Sequence, residues 1–359
     1  MSIYIDFHIL QTVPPSCVNR DDTGSPKTAV YGGAVRARVS SQSWKRAVRT
    51  EFKDMFEEVN LAVRTKNVVE MISDKMVSID NSISIDEIHK KAVAALELAG
   101  IKVKESKNGE PEKADALFFM SYKQAEAIAE LALTLDLKAK ESKDKLKNAL
   151  TDNLSVDIAL FGRMAASEPT LNCDAAAQVA HAISTHAVQN EYDYFTAVDD
   201  LQSDDNSGAG HLGTVEFNSS TLYRYATVNA SELVNTLGAE SVAEVVKKFG
   251  KAFICSMPTG KENTFANRTF PDTVYVTIRK DQPVNLCGAF EKPVKRSDEG
   301  YAVASEKRLK EYADKVYANF AAEPEKAFCI GESFEKAEKL PLNDLLDKLE
   351  KEVNAAIGE

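Results

Sequence analysis

The feature that most constrains the fold is a change of hydrophobic period along the chain. Residues 3–10 (IYIDFHIL) alternate between apolar and polar side chains, with Asp6 and His8 on the polar face, which predicts a half-buried β-strand. From about residue 57 to 165, apolar residues recur at helical spacing in a charge-rich sequence, and strand-like segments return at 221–228 and 274–278. This order predicts an α+β fold with an antiparallel sheet that is interrupted by a helical insertion.

Several further elements follow from local pattern. Residues 34–39 alternate as a second strand, and a helix begins near Ser40 or Ser41, either of which is a good cap. Its buried stripe is predicted to contain Trp44, Ala47, Val48, Phe52 and Met55. Further predictions are a helix over 174–188, a long hairpin over 194–217, and a last helix from Asp344 to Ile357 that Asn343 caps.

Length and composition describe an ordinary globular protein. The 359 residues are 44% hydrophobic and 28% charged, which allows about two domains and excludes disordered, collagen-like and low-complexity chains. The five cysteines are far apart and include no CxxC pair, as expected for reduced thiols. With no signal-peptide pattern and no long apolar run, we expect a soluble cytoplasmic protein without a membrane partner.

Charge is distributed unevenly. The whole chain carries a net charge of -11, but residues 23–49 contain six basic residues and no acidic residue. A window of +6 within a total of -11 leaves -17 on the rest of the chain. A solvated surface in an acidic protein normally mixes both signs, so this segment is a candidate polyanion site.

Helical geometry sharpens that prediction. At 100° per residue, Gln42, Lys45, Arg46 and Arg49 fall on one face of the predicted helix, opposite Trp44. The serine hydroxyls and free N–H groups at the start of this helix would add a natural phosphate site. The alternative interpretation is a surface helix whose basic residues are incidental.

Two more basic segments lie downstream. Residues 258–268 (PTGKENTFANR) form a turn that carries Lys261 and Arg268, and the third segment carries Lys292, Lys295 and Arg296. Each alone is typical of a solvated loop. Together they are candidates for lining one groove with residues 23–49, although sequence alone does not establish that they converge.

Several blocks of the sequence resemble those of one known protein family. PSCVNRDD (15–22) and RVSSQSWKRAVR (38–49) resemble the CasC family, the backbone subunit of the type I-E CRISPR surveillance complex called Cascade. Further similar blocks follow in order: VDIALFGRMAAS (156–167), AHAISTHAV (180–188), DYFTAVDDL (193–201), HLGTVEFNSSTLYRY (211–225) and GAFEKPVK (288–295).

The resemblance implies a modified RRM-like (ferredoxin-like) palm with an antiparallel sheet, a helical "fingers" insertion and a long β-hairpin "thumb". The corresponding domain boundaries are 1–56 for the first part of the palm, 57–170 for the fingers, 171–192 for a palm helix, 193–223 for the thumb, and 224–359 for the second part of the palm with the C-terminal helices.

The resemblance also implies a function. Copies of such a subunit form a helical filament along the spacer of a CRISPR RNA (crRNA), each thumb kinks the guide and flips out one nucleotide, and the splayed segments pair with target DNA. Catalysis, a metal and a cofactor are not implied. The implied partners are crRNA, target DNA, other copies of the chain, the crRNA-processing endonuclease, the 5'-handle-binding subunit, and the small and large subunits.

Residues are transferred position by position. Guide-RNA contacts are implied for Arg20, Lys27, Ser40, Gln42, Lys45, Arg49 and Lys261. The basic residues Arg36, Arg38 and Arg46 are compatible with RNA contact in the same groove, and the alternative is that they only shape it. Met164, Phe195 and Leu212 resemble the wedge that separates bases at each kink, with core packing as the alternative for each. Aromatic stacking makes Phe195 the strongest of the three.

The sequence leaves three other functions to consider. Related subunits cut target RNA with an aspartate in the loop after the first strand, and Asp21 and Asp22 lie in that loop, so metal-dependent cleavage is the main alternative. The histidines His8, His89, His181, His186 and His211 lack metal-ligand spacing and are expected to be structural. A generic α+β scaffold with an incidental basic patch is the third, and it would bind RNA with little salt dependence.

Overall fold

The computed structural model describes residues 2–104, 111–197 and 211–358, and for His211 and Leu212 it describes the backbone alone. The chain forms two compact units. The first comprises Met1–Glu51, Val179–Ser231 and Val246–Glu359, and the second comprises Phe52–Gln178 and Glu232–Val245. In the described part of the chain, every helix is too short or too polar to span a bilayer.

The strands, in chain order, are β1 (Tyr4–Ser16), β2 (Thr28–Tyr31), β3 (Ala34–Val39), β4 (Ala62–Thr65), β5 (Val103–Lys104), β6 (Lys113–Ala114), β7 (Phe118–Ser121), β8 (Ala177–Val179), β9 (Ala182–Ser184), β10 (Glu191–Ala197), β11 (His211–Asn229), β12 (Thr273–Arg279), β13 (Lys326–Ile330) and β14 (Glu338–Lys339).

The helices are α1 (Ser41–Glu51), α2 (Val68–Ile79), α3 (Ile85–Leu98), α4 (Tyr122–Thr134), α5 (Lys140–Asp152), α6 (Val156–Phe161), α7 (Ala230–Leu237), α8 (Ala239–Cys255), α9 (Glu262–Phe265), α10 (Ala302–Asn319) and α11 (Leu342–Gly358). Helix α11 therefore begins two residues before the predicted start at Asp344, and Asn343 lies inside it rather than capping it.

A large sheet organises the first unit. Its strand order is β14-β13-β12-β1-β11-β9-β3-β2, with β8 and β10 also pairing with β11. The central pairs β1–β11 and β1–β12 are antiparallel, with Phe7 opposite Ala226 on one side and Val276 on the other. The short pair β13–β14 is parallel. The prediction of a mixed fold with a mostly antiparallel sheet is confirmed.

The prediction that β1 is half-buried is wrong. Asp6 and His8 are completely buried because a layer of tyrosines and a helix cover their face of the sheet. The Tyr225 hydroxyl donates to Asp6 Oδ1 (3.0 Å), the Val284 N–H donates to Asp6 Oδ2 (2.9 Å), and the Tyr223 hydroxyl lies 2.8 Å from His8 Nδ1. These polar side chains alternate along the strand but do not face water; their hydrogen-bond partners come from β11 and from the loop at Val284.

Aromatic side chains fill the opposite face of β1. The Phe7 ring packs edge-on against Phe249 and Phe253, at centroid distances of 5.6 and 6.3 Å. Gly250 allows this approach, since a Cβ there would lie 2.9 Å from the Phe7 ring. Burial on both faces explains why β1 forms the centre of the sheet.

The predicted helix over 174–188 is wrong, and with it the palm helix expected within 171–192. Residues 177–179 and 182–184 are strands instead. Strand β9 lies between β11 and β3, so Ala182, Ile183 and Ser184 are all buried. A strand that is covered on both faces loses the polar alternation that separates strand from helix patterns.

The second unit contains the predicted helices of the 57–165 region. Its core is built from α2, α3, α4 and α5, with Ile72, Ile88, Ile128 and Leu146 fully or almost fully buried. Helix α4 starts at a capping box in which Ser121 and Gln124 each satisfy the other's backbone N–H. Two small antiparallel sheets, β4–β7 and β5–β6, were not predicted.

The predicted hairpin is confirmed in its two strands. Residues 191–197 of β10 pair with residues 211–217 of β11 in an antiparallel ladder. The polar tip at 203–210, for which sequence predicts order only against a neighbouring copy, lies outside the described residues. Strand β11 runs on without interruption into the large sheet, where it pairs with β1 as far as Asn229.

Candidate nucleic-acid interface

Helix α1 has the two predicted faces, but it ends at Glu51, so the predicted stripe is too long: Phe52 is buried just beyond the helix and Met55 is only partly buried. Trp44, Ala47 and Val48 are buried, whereas Gln42 and Arg46 are exposed. Lys45 and Arg49 are partly exposed on the same side as Arg46. Because the apolar face is buried against the protein, the cationic face of the helix points outward.

The buried Arg224 packs against the apolar face of α1. The Arg224 guanidinium lies 3.7 Å from the centre of the Trp44 ring and 4.8 Å from that of Phe253. Its Nη1 donates to Gln11 Oε1 (2.6 Å), and its Nη2 donates to the Phe253 carbonyl. Burial lowers the pKa of Arg224 to about 9. Cation–π contact in a dry site is strong enough to fix the position of α1 on the sheet.

The start of α1 differs from the expectation of free N–H groups. The Ser40 N–H donates to Asn19 Oδ1 (2.9 Å), the Ser41 N–H donates to His181 Nδ1 (3.2 Å), and the Ser43 N–H reaches the Ser40 hydroxyl (3.3 Å). Ser40 is itself buried and acts as the N-cap. These three donors are satisfied by the protein, so side-chain cations are the main feature left to attract an anion here.

A cleft of about 710 Å³ lies beside α1. Three separate segments of the first unit line it: the loop at 18–24, the exposed side of α1 at 43–51, and residues 257–260 with Arg268. The exposed cations Arg20, Arg46 and Arg268 converge on it. The first and second basic segments of the sequence therefore do share one groove.

Gly260 makes that convergence possible. A Cβ at this position would lie 2.0 Å from the Val18 carbonyl oxygen and 2.7 Å from that of Cys17. Only glycine permits two backbones to approach so closely. Lys261 follows directly, in a left-handed conformation (φ 53°), and is partly exposed. Burial raises the pKa of the Cys17 thiol, and the charges of Arg20 and Lys261 oppose that shift, so both cations act on this loop.

Acidic residues also line the cleft, and two of them are committed to other partners. Asp21 Oδ1 accepts from the Thr23 N–H (2.9 Å), the Thr23 hydroxyl (2.7 Å) and the Ser25 N–H (3.0 Å). These bonds, the Thr23 hydroxyl first, lower the pKa of Asp21. Glu51 pairs with Arg268 at 3.1 Å. Asp22 is exposed at the same edge.

A second, shallow groove lies on the other side of the same loop. Lys27 and Arg38 line it together with Asn218 and Ser220 of β11. The Lys27 N–H donates to the Asn19 carbonyl (2.8 Å), and the Arg38 N–H donates to the Lys27 carbonyl (2.9 Å). Asn19 therefore ties this loop both to Lys27 and to the start of α1.

Two expected basic groups are placed elsewhere. Arg36 is fully buried and donates to the carbonyls of Ser184 (2.9 Å) and Phe290 (2.8 Å). It is a structural residue, so its candidacy for the groove is wrong. The third basic segment, with Lys292, Lys295 and Arg296, is exposed but lines neither of these two grooves.

The three wedge candidates lie in three segments, a loop of the second unit and the two paired strands β10 and β11. Met164 is 82% exposed in the second unit, just after the buried Arg163, whose guanidinium bonds the carbonyls of Phe119, Leu150 and Leu171. Phe195 is 40% exposed on β10 and stacks over Gly213 of the paired strand. Leu212 pairs with Thr196 along the backbone, and its side chain lies outside the described residues.

Two histidines of the first unit are packed within the fold. Burial lowers the pKa of His8 to about 3, with the Arg279 charge acting in the same direction. His186 stacks on Tyr301 at 3.6 Å and accepts from the Thr221 N–H through Nε2. His181, between β8 and β9, contacts the start of α1 through the Ser41 N–H, whereas the sequence indicated only a structural histidine.

Comparisons with known proteins agree on one group. A family model described as CT1975-like protein matches residues 5–355. A chain of a "CRISPR RNA-guided surveillance complex, pre-nicking" is 31% identical, with a TM-score of 0.85 over 98% of this chain and 100% of that chain. A chain of another "CRISPR RNA-guided surveillance complex" is 27% identical, with a TM-score of 0.74 over 97% and 99%. The curated proteins contain no match.

Proposed function

Since the chain belongs to the family of CT1975-like proteins, we propose that it is an RNA-binding backbone subunit of a CRISPR surveillance complex, of the Cascade type I-E class. In this role it holds the crRNA spacer through the cleft beside α1. Copies of the chain line up along the spacer, the hairpin kinks the guide at each copy, and the exposed segments pair with target DNA. The first unit then corresponds to an RRM-like palm and the hairpin to a thumb.

The observation that carries the proposal is the cleft itself. Arg20, Arg46 and Arg268 come from three segments that span almost 250 residues of sequence, and they meet on one face of a chain whose net charge is -11. Arginine side chains on a helix and on the loops beside it can contact phosphate without reading bases. A subunit that delegates sequence recognition to base pairing needs this kind of surface.

The chemistry of the cleft also favours binding over cleavage. A carboxylate that holds a catalytic metal needs open lone pairs next to the phosphate. Asp21 Oδ1 is already occupied by three donors from its own loop. This leaves the exposed Asp22 as the carboxylate to test, and we propose a non-catalytic subunit, with a different component of the complex cutting the target nucleic acid.

A cleavage assay checks that part of the proposal. Purified protein is incubated with single-stranded RNA and Mg²⁺, and the products are resolved by size. We expect intact RNA for the wild type and for Asp22→Ala. Cleavage by the wild type that disappears in Asp22→Ala would replace the proposal with the endonuclease alternative.

A salt titration tests RNA binding. We expect the logarithm of the association constant for single-stranded RNA to fall linearly with the logarithm of salt concentration, by about 0.7 for each phosphate contacted. Arg20→Gln and Arg46→Gln should each reduce the slope by about one such contact. Arg296→Gln, an exposed arginine away from both grooves, is the matched control. A flat titration would instead favour a scaffold with an incidental basic surface.

A further inference from the structure

His181 occupies a junction that the proposed RNA contacts share. It lies between β8 and β9, and its Nδ1 is 3.2 Å from the Ser41 N–H of α1 and 3.4 Å from Arg38 Nη1 of β3. A backbone N–H and a guanidinium can only donate. Nδ1 must therefore be the acceptor, with its one lone pair shared between the two donors, which places the proton of the neutral ring on Nε2.

Arg38 is held from two directions. Its Nε points to the Thr28 carbonyl (3.3 Å), and Nη1 is held by His181. Its backbone also bonds the Lys27 carbonyl. The guanidinium, which would otherwise move freely on a long side chain, is confined beside Lys27 and the first turn of α1.

We propose that His181 is a positioning residue for RNA binding: it orients Arg38 beside the start of α1 so that the phosphate-binding surface is formed before RNA arrives. This inference rests on the proposed function and names a residue that the transferred contacts do not include. Confining a long cationic side chain in advance reduces the conformational entropy that is lost on binding.

The charges around His181 keep this arrangement in place near neutral pH. Partial burial lowers the pKa of His181, and the neighbouring Arg38 on β3 and Lys27 before β2 lower it further. The element packed on the third side is α1, which contributes the Ser41 N–H rather than a charge. Neutral imidazole is the form whose Nδ1 accepts hydrogen bonds.

Substitutions at His181 separate an Nδ1 role from a role in packing. Asparagine places its Oδ1 close to the position of Nδ1, glutamine places its oxygen near Nε2, and alanine removes the acceptor. Binding of a labelled single-stranded RNA oligonucleotide is measured for His181→Asn, His181→Gln and His181→Ala. We expect His181→Ala and His181→Gln to weaken binding by about two- to tenfold, and His181→Asn to bind nearly as the wild type.

A double-mutant cycle with Arg38→Gln tests whether His181 acts through Arg38. If it does, His181→Ala combined with Arg38→Gln binds RNA no more weakly than Arg38→Gln alone. Additive losses, or equal losses for the asparagine and alanine variants, would overturn the inference while leaving the proposed function intact. Salt-independent binding by the wild type would reject both. Thermal unfolding of each variant identifies folding defects, and the asparagine–glutamine comparison decides if the alanine variant does not fold.

Discussion

At the scale of single residues, two arginines on one strand have opposite fates. Arg36 and Arg38 are two positions apart on β3, but only Arg36 is covered, because the 290–291 carbonyls close over it. Gly32 belongs to the same contact, since a Cβ there would collide with the Glu291 carbonyl. Sequence alternation places both arginines on one face but does not report what covers that face.

We therefore predict that the two arginines separate stability from binding. Arg36→Met should lower the free energy of unfolding by about 2–5 kcal/mol, because it leaves buried carbonyls of Ser184 and Phe290 without donors. Arg38→Met should change stability little and weaken RNA binding. Urea unfolding and RNA titration of both variants check this, and equal destabilisation would contradict it.

The buried pair Asp6 and His8 leads to a prediction about pH. Burial raises the pKa of Asp6 from 3.8 to about 6, although its hydrogen bonds and Arg279 oppose the shift. A carboxyl group with a raised pKa stabilises the fold most below pH 4, and that contribution is lost as pH rises through 6. Burial lowers the pKa of His8 to about 3, so its effect runs in the opposite direction over the same range.

Asp6→Asn removes the pH-dependent contribution of Asp6 to stability and leaves that of His8. The unfolding free energy of the variant, relative to the wild type, should rise as pH increases from about 4 to 6, by on the order of 3 kcal/mol. Chemical unfolding at a series of pH values measures that difference. A constant offset between the two proteins across this range would show that the Asp6 pKa is not raised in the fold.

At the scale of elements, whether a helix or strand can be predicted from sequence depends on whether one or both of its faces are buried. Helix α1 was predictable because Trp44, Ala47 and Val48 repeat on one side and cations on the other. Strand β9 was not, since Ala182, Ile183 and Ser184 are all buried. The hairpin was predictable from its turn-rich centre, but the start of β10 at Glu191 was not marked.

The hairpin also permits a matched pair of substitutions. The Phe195 ring occupies the space over Gly213, where a Cβ would lie 2.4 Å from the ring. Gly213→Ala should therefore displace Phe195 without changing it, and Phe195→Ala removes it. Both should weaken RNA binding by up to about 1–3 kcal/mol if the ring stacks on a base.

A fluorescent base analogue in the RNA reports that stacking directly. We expect the analogue to lose its response to protein in both variants, whereas Tyr192→Ala, which removes an exposed ring from the same strand, should retain it. Unchanged fluorescence in Phe195→Ala would assign Phe195 to hairpin packing alone.

At the scale of the whole molecule, basic residues that are far apart in the sequence lie close together in the cleft beside α1. Residues 23–49 form a recognisable basic segment, but no sequence pattern predicts that Arg268 lies in the same cleft. That contact depends on Gly260 and the Val18 carbonyl, which are more than 240 positions apart. Sequence thus predicted the cationic helix and named the second basic segment as a candidate, whereas their convergence on one cleft and the contacts of His181 required the fold.

Charge reversal on α1 should block assembly without unfolding the chain. Lys45→Glu with Arg49→Glu places two acids on the cationic face, opposite the buried Trp44. We expect the double variant to remain folded but to purify from cells carrying the CRISPR locus without RNA, as judged by absorbance ratio and gel. Lys315→Glu with Lys351→Glu, on exposed positions of α10 and α11, carries the same charge change as a control. RNA at wild-type levels in the α1 variant would contradict the prediction.

Strand β11 belongs both to the hairpin and to the large sheet, which links the geometry of the two. The same strand forms one arm of the hairpin and then pairs with β1 as far as Asn229, and the β1–β11 register shifts between Val13 and Ser16, opposite Ser220 and Asn218. A single inserted residue near Asn218 would rotate every outer side chain of the arm by half a turn relative to the sheet. If copies line up along RNA as proposed, we expect the direction of the hairpin, and with it the spacing of successive copies, to follow from the strand ladder that joins β11 to the sheet.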